Sequence, residues 1–248
     1  MKGYVDIDKI EKMRIAGDIL SEINRELREM AVEGVTLLEI DEKANELCKK
    51  FNVIPAFKGY DGFPKTVCVG VNDVVVHGIP DNYALKNGDI VSLDMGIKYK
   101  GVFSDSAITV GVGQISANAK KLMEATKKAV IEGIKFAKPG NRVGDIGNAM
   151  QKAVESEGFS VVIEMVGHGV GYELHEEPYI PGYGEKGEGE KLYEGQTIAI
   201  EAIINEGTPD IVISKKDGWT SKTKDGKLSA LFEHTVVVGK EPLVLTKW

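Results

Sequence analysis

The sequence predicts an α/β (α+β) fold made of two related halves, with strands in the middle. Three observations predict it. Apolar residues recur at helical spacing over residues 8–31, through Ile10, Met13, Ile19, Leu20, Ile23, Leu27 and Met30. After Gly111-Val112-Gly113 the order helix, helix, strand begins again. The two runs align at an offset near 106, which matches Gly34 with Gly140, Glu39 with Asp145 and Ile40 with Ile146, and leaves Asp94 one residue from Glu201. The halves span roughly residues 8–112 and 114–240. No low-complexity linker divides them, so residues 1–248 read as a single domain.

The elements follow in order. Thr36 and Glu39 form a Thr-x-x-Glu pattern resembling a capping box, so a second helix starts there and ends near Phe51. Residues 66–71 and 74–76 are strand-like. Residues 90–98 and 102–110 read as two strands flanking the turn-like Lys98-Tyr99-Lys100-Gly101. With Tyr99-Lys100 as a two-residue turn, Asp94 lies directly opposite Asp105; a three-residue loop shifts the pairing by one and leaves them diagonal neighbours. In the second half, residues 116–137 and 143–158 read as helices and 160–163 as a strand. Apolar strands then run over 198–204 and 231–237.

The chain's 248 residues suffice for a substantial core without staples. A net charge of −7 with no Lys/Arg block argues against nucleic acid and acidic membranes as partners. Two cysteines, Cys48 on an amphipathic helix and Cys68 on an apolar strand, read as small core or pocket residues in a reducing compartment. The first six residues have no apolar signal-like core, and no stretch approaches a membrane span. A cytoplasmic location is expected.

The chemistry lies in acids that stand where acids are unusual. Asp94 follows Ile90-Val91-Ser92-Leu93, and Asp105 precedes Ala107-Ile108-Thr109-Val110. Glu201 and Glu233 are likewise isolated in apolar strands. Most Asp residues face solvent, but these neighbours describe buried strands, and an unpaired buried charge is very costly. Like charges on facing strands need compensation, and a cation is the simplest. Of the four histidines, His77, His168 and His175 sit in Gly- or Pro-bounded contexts. Glycines beside His168 permit the close backbone approach of a ligand loop. His234 adjoins Glu233 and so points to the opposite face of its strand. Four carboxylates and one imidazole suit Mn²⁺, Fe²⁺ or Co²⁺ better than a thiolate zinc site. Two such ions, about 3.5 Å apart, are a usual arrangement for hydrolysis.

Four segments together, DGFPKTVCVGVNDVVVHGIP, SLDMG with SDSA, GHGVGYELHEEP and KDGWTSKTKDGKLSALFEHTVVV, resemble the type I methionine aminopeptidases in their short bacterial form. The resemblance runs from about residue 8 to the C-terminus. It implies the pita-bread (creatinase/aminopeptidase) fold, two pseudo-symmetric halves around a central antiparallel sheet. It also implies two divalent ions (Co, Mn or Fe(II), with Zn a further option) on Asp94, Asp105, His168, Glu201 and Glu233. The implied reaction removes the N-terminal methionine of nascent proteins when the second residue is small. A metal-bridging hydroxide would attack, Glu201 would relay its proton, His175 would stabilise the oxyanion and His77 would hydrogen-bond the substrate backbone. Tyr60, Phe63, Cys68, Leu174 and Trp219, with Phe57 nearby, would line the methionine pocket, and Asn72 and Ser229 would match a monovalent-cation site. A monomer acting on nascent N-termini, at the ribosome among other places, is the implied context. Two departures stand out: Ala202 where the family usually has Pro, and Asp61 where many relatives carry His. The competing readings are a prolidase or aminopeptidase P-like enzyme, which usually carries a large extra N-terminal domain, and a non-catalytic binding protein that has lost ligands.

Overall fold

Asp6 opens the first helix: its carboxylate accepts the Lys9 N–H at 3.0 Å. The computed structural model describes residues 5–248; residues 1–4, on which the expectation about a signal-like core falls, lie outside the described residues. Helix α1 (Ile7–Met30) buries Met13, Ala16, Leu20, Ile23 and Leu27 along one face. The Thr36–Glu39 capping box forms as expected and starts α2 (Leu37–Lys50). Five strands follow: β1 (Ile54–Pro55), β2 (Cys68–Val71), β3 (Val74–Val76), β4 (Ile90–Tyr99) and β5 (Val102–Gly111).

Ser116 caps α3 (Ala117–Ile134), and the Asp145 carboxylate accepts the Arg142 N–H at the start of α4 (Val143–Glu155). Both helices stop about three residues short of the sequence expectation. Pro139-Gly140 lies just past α3, and Gly158 past α4 takes a φ of +84°. The remaining strands are β6 (Ser160–Val161), β7 (Gly167–Gly169), β8 (Glu176–Ile180), β9 (Thr197–Asn205), β10 (Ile211–Ile213), β11 (Ser221–Thr223), β12 (Ser229–Val237) and β13 (Leu243–Val244).

One expectation needs correction. The β4–β5 turn is Lys100-Gly101, not Tyr99-Lys100, and it is of the type I′ kind, which needs positive φ at both central positions. Lys100 and Gly101 supply φ of +47° and +90°. Tyr99 therefore pairs with Val102, Asp94 with Ala107 and Asp105 with Gly96. The acids are diagonal neighbours instead of direct partners. A two-residue shift preserves the face, so both still point the same way. The direct pairing expected of the aspartates is made by glutamates: Glu201 on β9 stands opposite Glu233 on β12.

All strand pairs are antiparallel. One sheet runs β1-β4-β2 with β5 on β4, another runs β13-β12-β9-β7-β8 with β6 on β9, and a small third is β10-β11-β3. Strand periodicity sorts their faces. Val91, Leu93, Met95 and Ile97 of β4 pack with the apolar faces of α1 and α2. Ile198, Ile200, Ala202 and Ile204 of β9 pack with α3 and α4. The acids between these positions are thereby turned away from the helices.

Strands β5 and β12 meet through side chains. Thr235 Oγ1 accepts the Asp105 N–H at 2.9 Å and donates to the Asp105 carbonyl at 2.7 Å. Thr109 Oγ1 makes the same pair of bonds to Leu231, at 2.9 and 2.8 Å, and Ser106 Oγ donates to the Glu233 carbonyl at 3.1 Å. Hydroxyls thus satisfy backbone groups that buried strands cannot leave unpaired.

Candidate active site

The faces of β4, β5, β9 and β12 turned from the helices converge on one cavity of about 400 Å³. Asp105, His168 and Glu233 are buried there, with one candidate donor atom from each within 4.8 Å of the others. His168 Nε2 lies 4.0 Å from Asp105 Oδ2. Asp94 and Glu201 line the same cavity, half-buried. All five expected donors are therefore brought together. Gly96 helps to make the space: a Cβ there would stand 2.9 Å from the Phe57 ring and 3.4 Å from Asp105 Oδ1.

Burial is the first cause of the charge behaviour. It pushes Asp105 up to about 7, against an opposing Ser106 N–H. Burial, then the Asp105 charge, pushes Glu201 up to about 8. Asp94 and Glu233 rise for the same two reasons, desolvation and neighbouring carboxylates. Among the described residues no Lys or Arg forms an ion pair with any of the four. Four clustered carboxylates without a cationic side chain fit divalent metal ions, whose charge would hold them ionised. Burial also lowers His168 to about 4, which favours the neutral imidazole a metal requires.

The other expected residues surround these donors. His77, His175, Tyr60, Phe63, Cys68, Leu174, Trp219 and Phe57 all line the cavity. Phe63 and Trp219 pack edge to face at 5.3 Å, and His77 sits 6.2 Å from Trp219. His77 takes a φ of +57°, sparsely populated for a non-glycine residue and a mark of imposed conformation. Cys68 pairs with Asp94 in register and is a free thiol that burial pushes well up. Asn72 and Ser229 fall outside the cavity lining but meet each other, Ser229 N–H donating to the Asn72 carbonyl at 2.8 Å. His234 turns away as expected, its ring stacked on Trp248 at 3.8 Å and its Nδ1 2.8 Å from Thr246 Oγ1.

The sequence reading missed Val76, Met165, Val166, Tyr179 and Ile203, which also line the cavity. Ile203 carried a usable signal, since it lies two residues beyond Glu201 on the same strand face. Tyr179 carried none; its strand, β8, is a five-residue piece outside the expected elements.

The profile of metallopeptidase family M24 matches residues 11–240 of this sequence. The chain belongs to family M24. Within the family it is 45% identical to the methionine aminopeptidase of Clostridium perfringens over 97% of both chains. The crystal structure of methionine aminopeptidase from Thermotoga maritima superposes with a TM-score of 0.96 at 43% identity, covering all of both chains. A prolidase from Pyrococcus furiosus superposes less closely, at TM-score 0.79 and 25% identity, over 98% of this chain and 65% of that one. The pita-bread architecture shared by M24 enzymes is thus the fold of this chain. M24 membership and the Asp–His–Glu cluster agree on a divalent-metal hydrolase. Among the described residues no helix is long and apolar enough to cross a membrane.

Proposed function

We propose that this M24 chain is a methionyl aminopeptidase, which hydrolyses the bond after an N-terminal methionine when the second residue is small. One observation carries the reading: the four strand carboxylates, three histidines and an aromatic and thiol wall line a single cavity. Asp94, Asp105, His168, Glu201 and Glu233 would hold two divalent ions, for which Mn²⁺, Fe²⁺ and Co²⁺ suit the oxygen-rich set and Zn²⁺ remains usable. Ions bound there would acidify a water molecule and polarise the scissile carbonyl.

The chain's own groups do the rest. Glu201, held ionised by bound ions, would take a proton from the attacking water and pass it to the leaving amine. His175 donates a hydrogen bond to the carbonyl oxygen as it gains charge, a contribution typically worth about 10²–10³ in rate. His77 hydrogen-bonds the substrate backbone beside the scissile amide. Phe63, Trp219, Tyr60, Cys68, Leu174 and Phe57 form the methionine pocket, where a thioether meets aromatic rings favourably. Ala202, the departure beside Glu201, packs toward the helices, so its effect falls on the strand's rear face. Asn72 and Ser229 are assigned to a monovalent cation. We read the chain as one domain, acting as a cytoplasmic monomer on nascent N-termini, including those at the ribosome.

A Met-Xaa-Ser peptide series assayed with Mn²⁺ and with Co²⁺ tests this. Cleavage is expected with Gly, Ala or Ser as the second residue and none with Lys, Phe or Leu. Exclusion of bulk is steric and strong, whereas Met against Leu at the first position differs by only about 1–3 kcal/mol. Equal rates across Gly, Leu and Lys would point to a general aminopeptidase, and preferential cleavage of Xaa-Pro peptides to a prolidase-like enzyme.

A further inference from the structure

His168 and His175 pack edge to face in the cavity, with ring centroids 4.3 Å apart. Each has its Nδ1 engaged, but by chemically different partners. His168 Nδ1 lies 2.8 Å from the Gly169 carbonyl oxygen. A carbonyl only accepts, so this nitrogen carries the hydrogen and Nε2 keeps a lone pair, the form a metal ligand needs. His175 Nδ1 lies 2.8 Å from the Tyr60 hydroxyl, which can donate.

We propose that the Tyr60 hydroxyl donates to His175 Nδ1 and fixes the tautomer opposite to that of His168, so that His175 faces the cavity with Nε2–H as a hydrogen-bond donor. A phenol is a more acidic donor than a neutral imidazole N–H, so the O–H···N arrangement is the favoured one. The reverse arrangement, with Nδ1–H donating to the Tyr60 oxygen, would leave a second bare imidazole nitrogen beside the candidate metal donors and no His175 donor facing the cavity. Two neighbouring rings would then compete for the same ions. The Tyr60–His175 bond separates their duties.

The local chain sets the backbone turn that carries the phenol. Gly59, Asp61 and Gly62 all take positive φ, and the turn is closed by Gly59 N–H to the Phe63 carbonyl and Phe63 N–H to the Tyr60 carbonyl, each at 2.8 Å. The Tyr60 and His175 rings also meet edge to face at 5.1 Å. Tyr60 is on this account a positioning residue as well as a pocket wall. Its catalytic consequence rests on the peptidase reading above, while the tautomer does not.

Tyr60→Phe removes the hydroxyl and keeps the ring. The test is ¹⁵N NMR of both imidazoles in the Zn²⁺-loaded protein, together with steady-state kinetics on Met-Ala-Ser. The wild type should show Nε2–H at His175 and Nδ1–H at His168. Tyr60→Phe should disturb only the first, and lower kcat by about 10–100-fold with KM and metal content nearly constant, as for other groups that orient a site residue. Nδ1–H at His175 in the wild type, or an unchanged His175 tautomer in Tyr60→Phe, would overturn the proposal. A rise in KM at constant kcat would overturn the positioning role and leave Tyr60 as pocket wall alone. A wild type that cleaves no methionyl peptide but shows the expected tautomers would refute the peptidase reading and uphold the tautomer assignment.

Discussion

Asp105 shows how many separate demands place one side chain. Its backbone N–H and carbonyl are both bound by Thr235 Oγ1, and its strand partner is a glycine that leaves room. Its carboxylate stands beside His168 and Glu233. That such acids gather in one cavity was legible, because isolated acids in apolar strands have no cheap alternative explanation. Their pairing was not. The turn slid by one residue onto Lys100-Gly101, and no hairpin arithmetic reaches across the long segment between Glu201 and Glu233. If the five donors hold metal, Asp94→Asn and Glu233→Gln each remove an anionic ligand. Both should lose metal and turnover by more than the 10–100-fold typical of groups that merely support a ligand. Asp81, exposed and bonded to the Tyr83 N–H, is the control, and Asp81→Asn should leave both unchanged. Metal content by mass spectrometry and peptide turnover decide the matter, and a fully active, fully loaded Asp94→Asn would end the assignment.

At the scale of elements, the long helices and strands were readable from period and caps, with α1, α2, β4 and β5 starting and ending within a residue or two of expectation. Among the short pieces, β3 was read at Val74–Val76, but β7, β10 and β11 were not, and irregular registers interrupt β7–β8 and β11–β3. Nor did any pattern announce the hydroxyl seam between β5 and β12. That seam makes a sharp prediction. Thr235→Val keeps the shape but strips partners from a buried N–H and a buried carbonyl, at a cost of about 1–3 kcal/mol for a group left unsatisfied. Because both groups belong to Asp105, metal affinity should fall as well. Thr109→Val should show a similar stability loss with less effect on metal, since its bonds go to Leu231. Urea melts and a metal titration test the pair; a Thr235→Val protein with wild-type midpoint and affinity would refute it.

At the scale of the whole molecule, β4 and β5 carry two of the five proposed donors, while β7, β9 and β12 carry three. Without bound metal, the raised carboxylates tie stability to pH. Asp105 near 7 and Glu201 near 8 lie above their unfolded values of about 4, so their contribution is complete below about pH 4 and is lost as pH rises through 7 and 8. The melting temperature of chelator-treated protein should therefore fall from pH 5 to pH 8, and Mn²⁺ should restore more at the higher pH. Ion present at a hundredfold excess over its Kd adds about 2.7 kcal/mol. A chelated protein whose melting point is flat across that range would contradict the electrostatics. The division of donors has one more consequence. The chain crosses between the two sets through Gly113 and Gln114, which are exposed. A cut there would part the donors two from three, and neither piece alone could encircle a pair of ions. Turnover in a mixture of the two pieces would then report their reunion, rising with the product of their concentrations, so the enzyme could serve as its own complementation assay.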